Sequence, residues 1–416
     1  MAATPSRPNY LIPLVLIVVA VAAGWLWWRL GAPPAPGPMR LVPTRYSALP
    51  GWGASDPAPA LTAFRRSCAQ IAEKPADAAM GGAGYAGIAG DWRAACQAVS
   101  DARAGAAAVR AWFETWFQPV AIGAGPAREG LFTGYYEPEL MAARQRHGPY
   151  QTPVYGVPDD LVTVDLRQFR NAWKNERIAG RIDGHSLVPF PSRAEIDAAG
   201  LAKAPVLFYA ADPVAVFFLH IQGSGRVVFE DGTRARVAYA AQNGRPYTAI
   251  GRTLIAEGAI PRESVSLQSI RAWLKAHPQD ARRVMETNQS YVFFKELPLG
   301  DPELGSAGAE GVSLTPRASL AVDLRFHPLG APFFVAASAP DPDAGKPDHA
   351  FERLLIAQDT GGAIRGAVRG DVFWGFGADA QAIAGRMKAQ GTLFVLLPKP
   401  VAARLGAGKD FPEAGP

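Results

Sequence analysis

Two carboxylates and six glycines share the stretch QDTGGAIRGAVRGDVFWGFG, residues 358–377. Asp359 and Asp371 stand twelve residues apart, and aromatic residues follow the second at once. Apolar neighbours hold a carboxyl group towards its protonated form, which is what a general acid needs near neutral pH. Phe373, Trp374 and Phe376 are candidates to line such a site around Asp371. Fully extended, twelve residues would part the two carboxylates by about 40 Å. A fold-back at Gly361, Gly362, Gly366 and Gly370 is therefore needed to bring them to one rim. A phosphate cradle fails on detail, because GGAIRG is not GxGxxG opening a helix and no GK[ST] element is present. A calcium loop is poor for want of acidic ligands at alternating positions. Spacing alone leaves two readings: Asp359 caps a turn and Asp371 is solvated, or one carboxylate does acid/base work.

Two further stretches could hold a ligand. In EGLFTGYYEPEL (129–140), Phe132, Thr133, Tyr135 and Tyr136 surround Gly134, and such flat faces and hydroxyls suit sugar rings. Ordinary strand core is the alternative. In FFLHIQGSGRVVFEDG (217–232), a strand is expected to end in Gln222, Gly223, Ser224 and Gly225, exposing polar groups at a glycine turn. A plain hairpin would look the same. Ser224 lacks the GxSxG context of a nucleophile elbow. With six histidines in the chain, and His220 at the end of that run, a Ser/His/Asp triad has little support.

The elements that must position these residues are mostly strands. From residue 131 short apolar runs alternate with Gly/Pro turns: LFTGYY, APVLFYA, AVFFLHIQGSG, RVVFEDGT, SYVFF, APFFVAA, FERLLIAQ and TLFVLLP. Helical spacing is seen over 60–118, in FRRSCAQIAE and AAVRAWFETWF, and again at about 248–258, 264–276 and 279–287. ADAQAIAGRMKAQ also has helical spacing, with Gly391 placed as its C-terminal cap. The chain therefore reads as mainly β with a helical N-terminal segment, not as an alternating βα series.

The 416 residues are 49% hydrophobic and 19% charged, which allows a sizeable core. The net charge of +5 is spread rather than blocked, so no nucleic-acid partner is expected. Residues 11–28, LIPLVLIVVAVAAGWLWW, carry no charge and would span about 27 Å as a helix. Trp25, Trp27, Trp28 and Arg29 close the run as an interfacial anchor would. An uncleaved membrane anchor over 1–30 is the expectation, with a cleaved signal peptide as its alternative. Residues 31–60, rich in Pro, Ala and Gly, read as a tether. Cys68 and Cys96 lack nearby His pairs and make a poor zinc site. They are read either as one disulfide in an oxidising compartment or as two buried thiols.

FTGYYEP, HIQGSGRV, YAAQNGRPYTAIGRTL, NQSYVFF, LTPRASLAVD and DTGGAIRGAVRGDVFWGFG occur in this order over about 125–400. Together they resemble the membrane-bound lytic murein transglycosylase A family, and the last two resemble its C-terminal three-aspartate module, here Asp323, Asp359 and Asp371. The resemblance implies a double-psi β-barrel domain built from 61–140 and 288–405. A second β domain, 141–287, is inserted, and a groove between the two holds a glycan strand. It implies cleavage of the β-1,4 bond between N-acetylmuramic acid and N-acetylglucosamine, with a 1,6-anhydro product and no cofactor or metal. Asp371 maps to the catalytic acid and base, Asp359 to its support, and Asp323 to a structural role. Thr133, Tyr135, Gln222 and Ser224 are implied in substrate binding, with Arg226, Asn243 and Tyr247 as weaker candidates. Implied partners are peptidoglycan strands, the inner membrane and cell-wall synthesis proteins, with the catalytic part in the periplasm. Many members carry a lipid-attachment cysteine near the N-terminus. Residues 1–30 hold none, so attachment through the apolar span is expected instead.

Overall fold

The computed structural model describes residues 37–170, 177–406 and 409–411. The apolar run 11–28 lies outside them. Among the described residues no helix is long and apolar enough to cross a membrane. Much of the stretch read as a tether is folded. Met39–Pro43 forms strand β1, whose Met39 and Leu41 are fully buried, and helix α1 starts at Ala58 (Ala58–Glu73).

The expected N-terminal helical region is three helices, α1, α2 (Ala89–Ala98) and α3 (Ala106–Trp116). In α1, Leu61, Phe64, Cys68 and Ile71 recur at three- and four-residue spacing and are buried on one face. Cys68 and Cys96 are bridged, tying α1 to α2 across a sequence separation of 28. Closing a loop of that length stabilises by roughly 3–4 kcal/mol on the chain-entropy account. Denaturant titrations with and without reductant are expected to differ by about that amount; a difference below about 1 kcal/mol contradicts it.

Two strands follow, β2 (Phe117–Ala124) and β3 (Glu129–Glu137). The chain then leaves for a second set of elements. These are β4 (Glu139–Ala143), β5 (Thr152–Tyr155), β6 (Val162–Asp165), β7 (Arg177–Asp183) and β8 (Ser186–Pro189), then α4 (Arg193–Ala199) and β9 (Val206–Ala210). Next come α5 (Pro213–Gln222), β10 (Ser224–Phe229) and β11 (Arg234–Gln242). Helices α6 (Ile250–Ala256), α7 (Leu267–Ala276) and α8 (Pro278–Glu286) precede β12 (Val292–Pro298). The chain returns through β13 (Ser319–Ala321), β14 (Pro332–Ala339), β15 (His349–Asp359) and β16 (Arg369–Phe376). It ends with α9 (Gly377–Ala384), β17 (Lys388–Pro398), α10 (Lys399–Leu405) and β18 (Lys409–Phe411).

Strands pair in the order β14-β15-β13-β16-β3-β17, and a β14–β17 ladder closes these six into a barrel. Strands β2, β1 and β18 extend the sheet outward from β17. One apolar cluster fills the barrel and the space beneath α1–α3, including Phe64, Phe117, Phe132, Phe333 and Val395. A second sheet, β12-β11-β10-β4-β9-β5, has its own core around Val154, Phe208 and Val237. Mainly β architecture with a helical N-terminal segment therefore holds.

Two local expectations are corrected. AVFFLHIQ is not a strand but most of helix α5. Asp212 caps it by accepting from the Val214 N–H at 2.8 Å, and Gly223 ends it in the left-handed region at φ 78°. Val216–His220 are all buried, so the helix is apolar around its circumference and shows no amphipathic period. Gly391 is not a helix cap either. Helix α9 stops at Ala384, and Gly391 lies inside β17, where an added Cβ would meet the Ala336 carbonyl oxygen at 2.5 Å.

Candidate active site

Strand register, rather than the glycine loop alone, brings the two aspartates together. Ala321 of the short strand β13 is paired with Asp359 of β15 on one side and with Asp371 of β16 on the other. On the far side of β16, Asp371 is in register with Thr133 of β3. The four residues form one row across four strands. The aspartate Cα atoms are thus two strand spacings apart, about 10 Å, not the extended 40 Å.

Asp371 is partly exposed to solvent, yet protein surrounds most of it. Thr133 donates its hydroxyl hydrogen to Asp371 Oδ1 at 2.5 Å. Arg369 donates from Nη2 to Thr133 Oγ1 at 2.8 Å. Burial pushes the Asp371 carboxyl pKa up, Thr133 and Arg369 pull it down, Asp359 adds a further upward push, and the net direction is up. Arg369 shares a face with Asp371 because the strand repeats every two residues. Phe373, two further on, packs its ring on Tyr135 with centroids 5.2 Å apart. Of the three expected aromatic neighbours Phe373 shares that face beside Asp371, and Phe376, in register with Glu137 after a register shift, shares it further along. Trp374 points into the core against Phe351, and Phe376 lies under the Arg226 guanidinium at 3.2 Å. Alternation along β16 sends Trp374 to the core, and the register shift between Phe373 and Phe376 sets Phe376 opposite Glu137 rather than beside Asp371.

Asp359 is held by three donors. Tyr135 OH donates to Oδ2 at 2.9 Å, while the Ala309 and Thr360 N–H groups donate to Oδ1 at 3.0 and 2.9 Å. Burial raises its pKa against those donors, and burial also keeps the Tyr135 phenol protonated. Ala309 belongs to the loop between β12 and β13. At Gly308 a Cβ would lie 2.4 Å from the Gln358 carbonyl oxygen, so a side chain there would push the loop off Asp359. Asp323 is fully buried and makes no hydrogen bond to either aspartate. It accepts from Arg325 at 2.7 Å and from the Gly366 N–H at 2.7 Å, so it clasps the loop that joins Asp359 to Asp371. Burial works to raise its pKa, and the Arg325 guanidinium with the Gly366 and Arg325 N–H groups outweighs it, leaving it below the usual value.

The other expected ligand residues have different surroundings. Ser224 accepts from the Ser306 hydroxyl at 2.7 Å on the same loop that carries Ala309. Gln222 ends α5, and its Oε1 is buried without a hydrogen-bond partner among the described residues. Neither is hydrogen-bonded to the aspartates. Arg226 is buried and ion-paired with Glu137 at 3.0 Å. Asn243 is fully buried, and its side chain bonds the backbone at Pro191, Gln289 and Tyr291. Tyr247 is exposed. Arg369 and the Ala309 N–H are the site groups that motif reading missed; the two-residue strand period pointed to Arg369. A cavity of about 1090 Å³ is lined by Arg193, His220, Arg271 and Tyr291 among others, and by none of the residues of the aspartate row. Among the described residues no cluster of His, Cys, Asp and Glu could hold a metal.

With this geometry in place, the comparisons are consistent with one another. Residues 131–295 match the MltA specific insert domain, and residues 318–397 match the 3D domain. Membrane-bound lytic murein transglycosylase A of Escherichia coli K12 is 34% identical over 283 residues, 67% of each chain. The crystal structure of MltA from Neisseria gonorrhoeae is similar with a TM-score of 0.75 and 34% identity, covering 92% of this chain and 96% of that one. Escherichia coli MltA with bound chitohexaose is similar with a TM-score of 0.60 and 27% identity, covering 82% and 91%. The chain belongs to the membrane-bound lytic murein transglycosylase A family.

Proposed function

We infer that the chain is a peptidoglycan lytic transglycosylase in which Asp371 acts first as acid and then as base. The carrying observation is an asymmetry between the two carboxylates. Both oxygens of Asp359 are taken up by Tyr135, Ala309 and Thr360, whereas Asp371 Oδ2 has no hydrogen bond from the described protein. A glycosidase of the ordinary kind needs a second carboxylate as nucleophile or as base for water. Each oxygen of Asp359 is already held by a protein donor, which suits a supporting role better than either task.

Protonated Asp371 donates to the glycosidic oxygen as the C1–O bond of the muramoyl residue breaks. The muramoyl 6-hydroxyl attacks C1, and its proton passes to the Asp371 carboxylate. The product is a 1,6-anhydro sugar, no water is consumed, and Asp371 ends as it began. Proximity of the intramolecular hydroxyl takes the place of water activation. Thr133 and Tyr135 position the two aspartates, and Gln222 and Ser224 are proposed to bind the glycan. Chitohexaose in the Escherichia coli relative supports a β-linked amino-sugar chain as ligand. The proposed division is a discontinuous lobe of 61–140 and 288–405 with 141–287 inserted. The proposed location is the periplasm, attached through 11–28, which the Cys68–Cys96 bridge supports because disulfides persist in oxidising compartments.

Mass spectrometry of digested sacculi tests the reaction class. Anhydro-ended muropeptides are expected. Reducing ends instead would make the enzyme a hydrolase, and binding without turnover would make it a glycan-binding protein.

A further inference from the structure

We propose that Arg369 is a positioning residue that orients the Thr133 hydroxyl and thereby assigns the transferable proton to Oδ2 of Asp371. The proposal rests on the acid/base reading above. A guanidinium has donors and no acceptor. Arg369 Nη2 therefore donates to Thr133 Oγ1, at 2.8 Å. A hydroxyl has one hydrogen. An ionised carboxylate can only accept, so Thr133, with Arg369 on one of its lone pairs, directs that hydrogen along its 2.5 Å contact to Asp371 Oδ1. Held in that orientation by Arg369, the hydroxyl keeps Oδ1 an acceptor when Asp371 is protonated as well. When Asp371 is protonated, its proton resides on Oδ2, the oxygen without a partner from the described protein.

Arg369 is itself immobilised. Its Nη1 donates to the Leu131 carbonyl at 3.2 Å and to the Gly370 carbonyl. Leu131 is its register partner on β3, the strand that carries Thr133. The residue is 9% exposed, and burial depresses its pKa against the pull of Asp371. A buried cation that bridges two strands could be explained by packing alone. The chain Arg369–Thr133–Asp371 gives it a second consequence. The acid's proton faces the open side of the site before substrate arrives, and the carboxylate left after donation keeps one hydrogen bond while Oδ2 is free to accept the 6-hydroxyl proton. Lysine at 369 could not reproduce this, because a single ammonium lacks the fork that reaches Thr133 and two carbonyls together.

The test uses the full chain on sacculi, with kcat and KM followed against pH. Arg369→Met and Thr133→Val are each expected to lower kcat about tenfold or more while KM stays within about twofold. Both groups hold the Asp371 pKa down, so each variant is expected to move the alkaline limb of kcat to higher pH. Thr133→Ser restores the hydroxyl and is expected to recover kcat to within about threefold of the parent. Because Arg369 acts through Thr133, the double variant should fall no more than about threefold below the worse single one. Fully multiplicative losses, an unmoved alkaline limb, or a Thr133→Ser no better than Thr133→Val each overturn the proposal. If Arg369→Met does not fold, the Thr133 pair decides by its pH limb and rescue. Asp371→Asn separates the two levels. Anhydro product from that variant overturns the acid assignment itself, whereas an inactive Asp371→Asn beside a fully active Arg369→Met overturns only the role of Arg369.

Discussion

Asp371→Asn is expected to lower the release of anhydromuropeptides by at least about 10³-fold, because one group supplies both proton transfers. The fold should survive, since an amide oxygen still accepts from Thr133 in the place of Oδ1. Stability is expected to rise at neutral pH. Burial raises the native pKa of Asp371 above that of the unfolded chain despite the opposing Thr133 and Arg369. Below the unfolded pKa both states are protonated and the group contributes nothing. As pH rises, the unfolded chain ionises first and is favoured, and the penalty is complete only above the native pKa. Asparagine escapes that penalty. The gain in Tm should therefore be seen at neutral pH and shrink as pH falls into the ordinary carboxylate range. The same raised pKa gives the parent enzyme an alkaline limb, since activity requires the protonated acid. A Tm gain that is the same at acidic and neutral pH, or retained anhydro product, would contradict this account of Asp371.

How much of this was legible beforehand differs between elements for physical reasons. Several barrel strands were readable because each is a short apolar run bounded by Gly or Pro, and LFTGYY, FERLLIAQ and TLFVLLP all fall inside strands, whereas the three-residue β13 was not read. Helix α5 was misread because burial on every side removes the amphipathic period, leaving length and caps as the only signals. Order of motifs along the chain carried the family and the choice of Asp371. What it could not carry was register. Asp359 and Asp371 meet because both pair with Ala321, a residue with no chemistry of its own, through ladders that no local pattern encodes. The Ala309 N–H was invisible for a related reason, since a backbone donor leaves no side-chain signature. Trp374 and Phe376 were placed beside Asp371 by adjacency, where strand alternation sends Trp374 to the core and a register shift after Phe373 sets Phe376 opposite Glu137, under Arg226.

Glu137 governs the second large effect, on stability. It ends β3, and Pro138 and β4 follow, so it stands where the barrel chain passes into the second sheet. Its carboxylate is fully buried between Arg226 of β10 at 3.0 Å and Arg236 of β11 at 2.7 Å. Phe376, its register partner on β16, stacks beneath Arg226. The two guanidiniums also donate to the carbonyls of Leu299, Pro302 and Leu304. Those carbonyls begin the loop that delivers the Ala309 N–H to Asp359. Removing the central anion strands two buried cations, and breaking a buried ion pair from one side costs about 3–5 kcal/mol. Glu137→Gln is therefore expected to lose about that much in denaturant titration. The triple variant Glu137→Leu, Arg226→Met, Arg236→Met leaves no stranded charge, and should recover most of the loss, since well-packed apolar replacements of buried ion pairs are often neutral. It should not recover activity, because the loop carbonyls lose the donors that hold Ala309 against Asp359. A loss under about 1 kcal/mol in Glu137→Gln would mean that water reaches the pair. A triple variant as active as the parent would mean that the loop holds its place on Asp359 without the arginines.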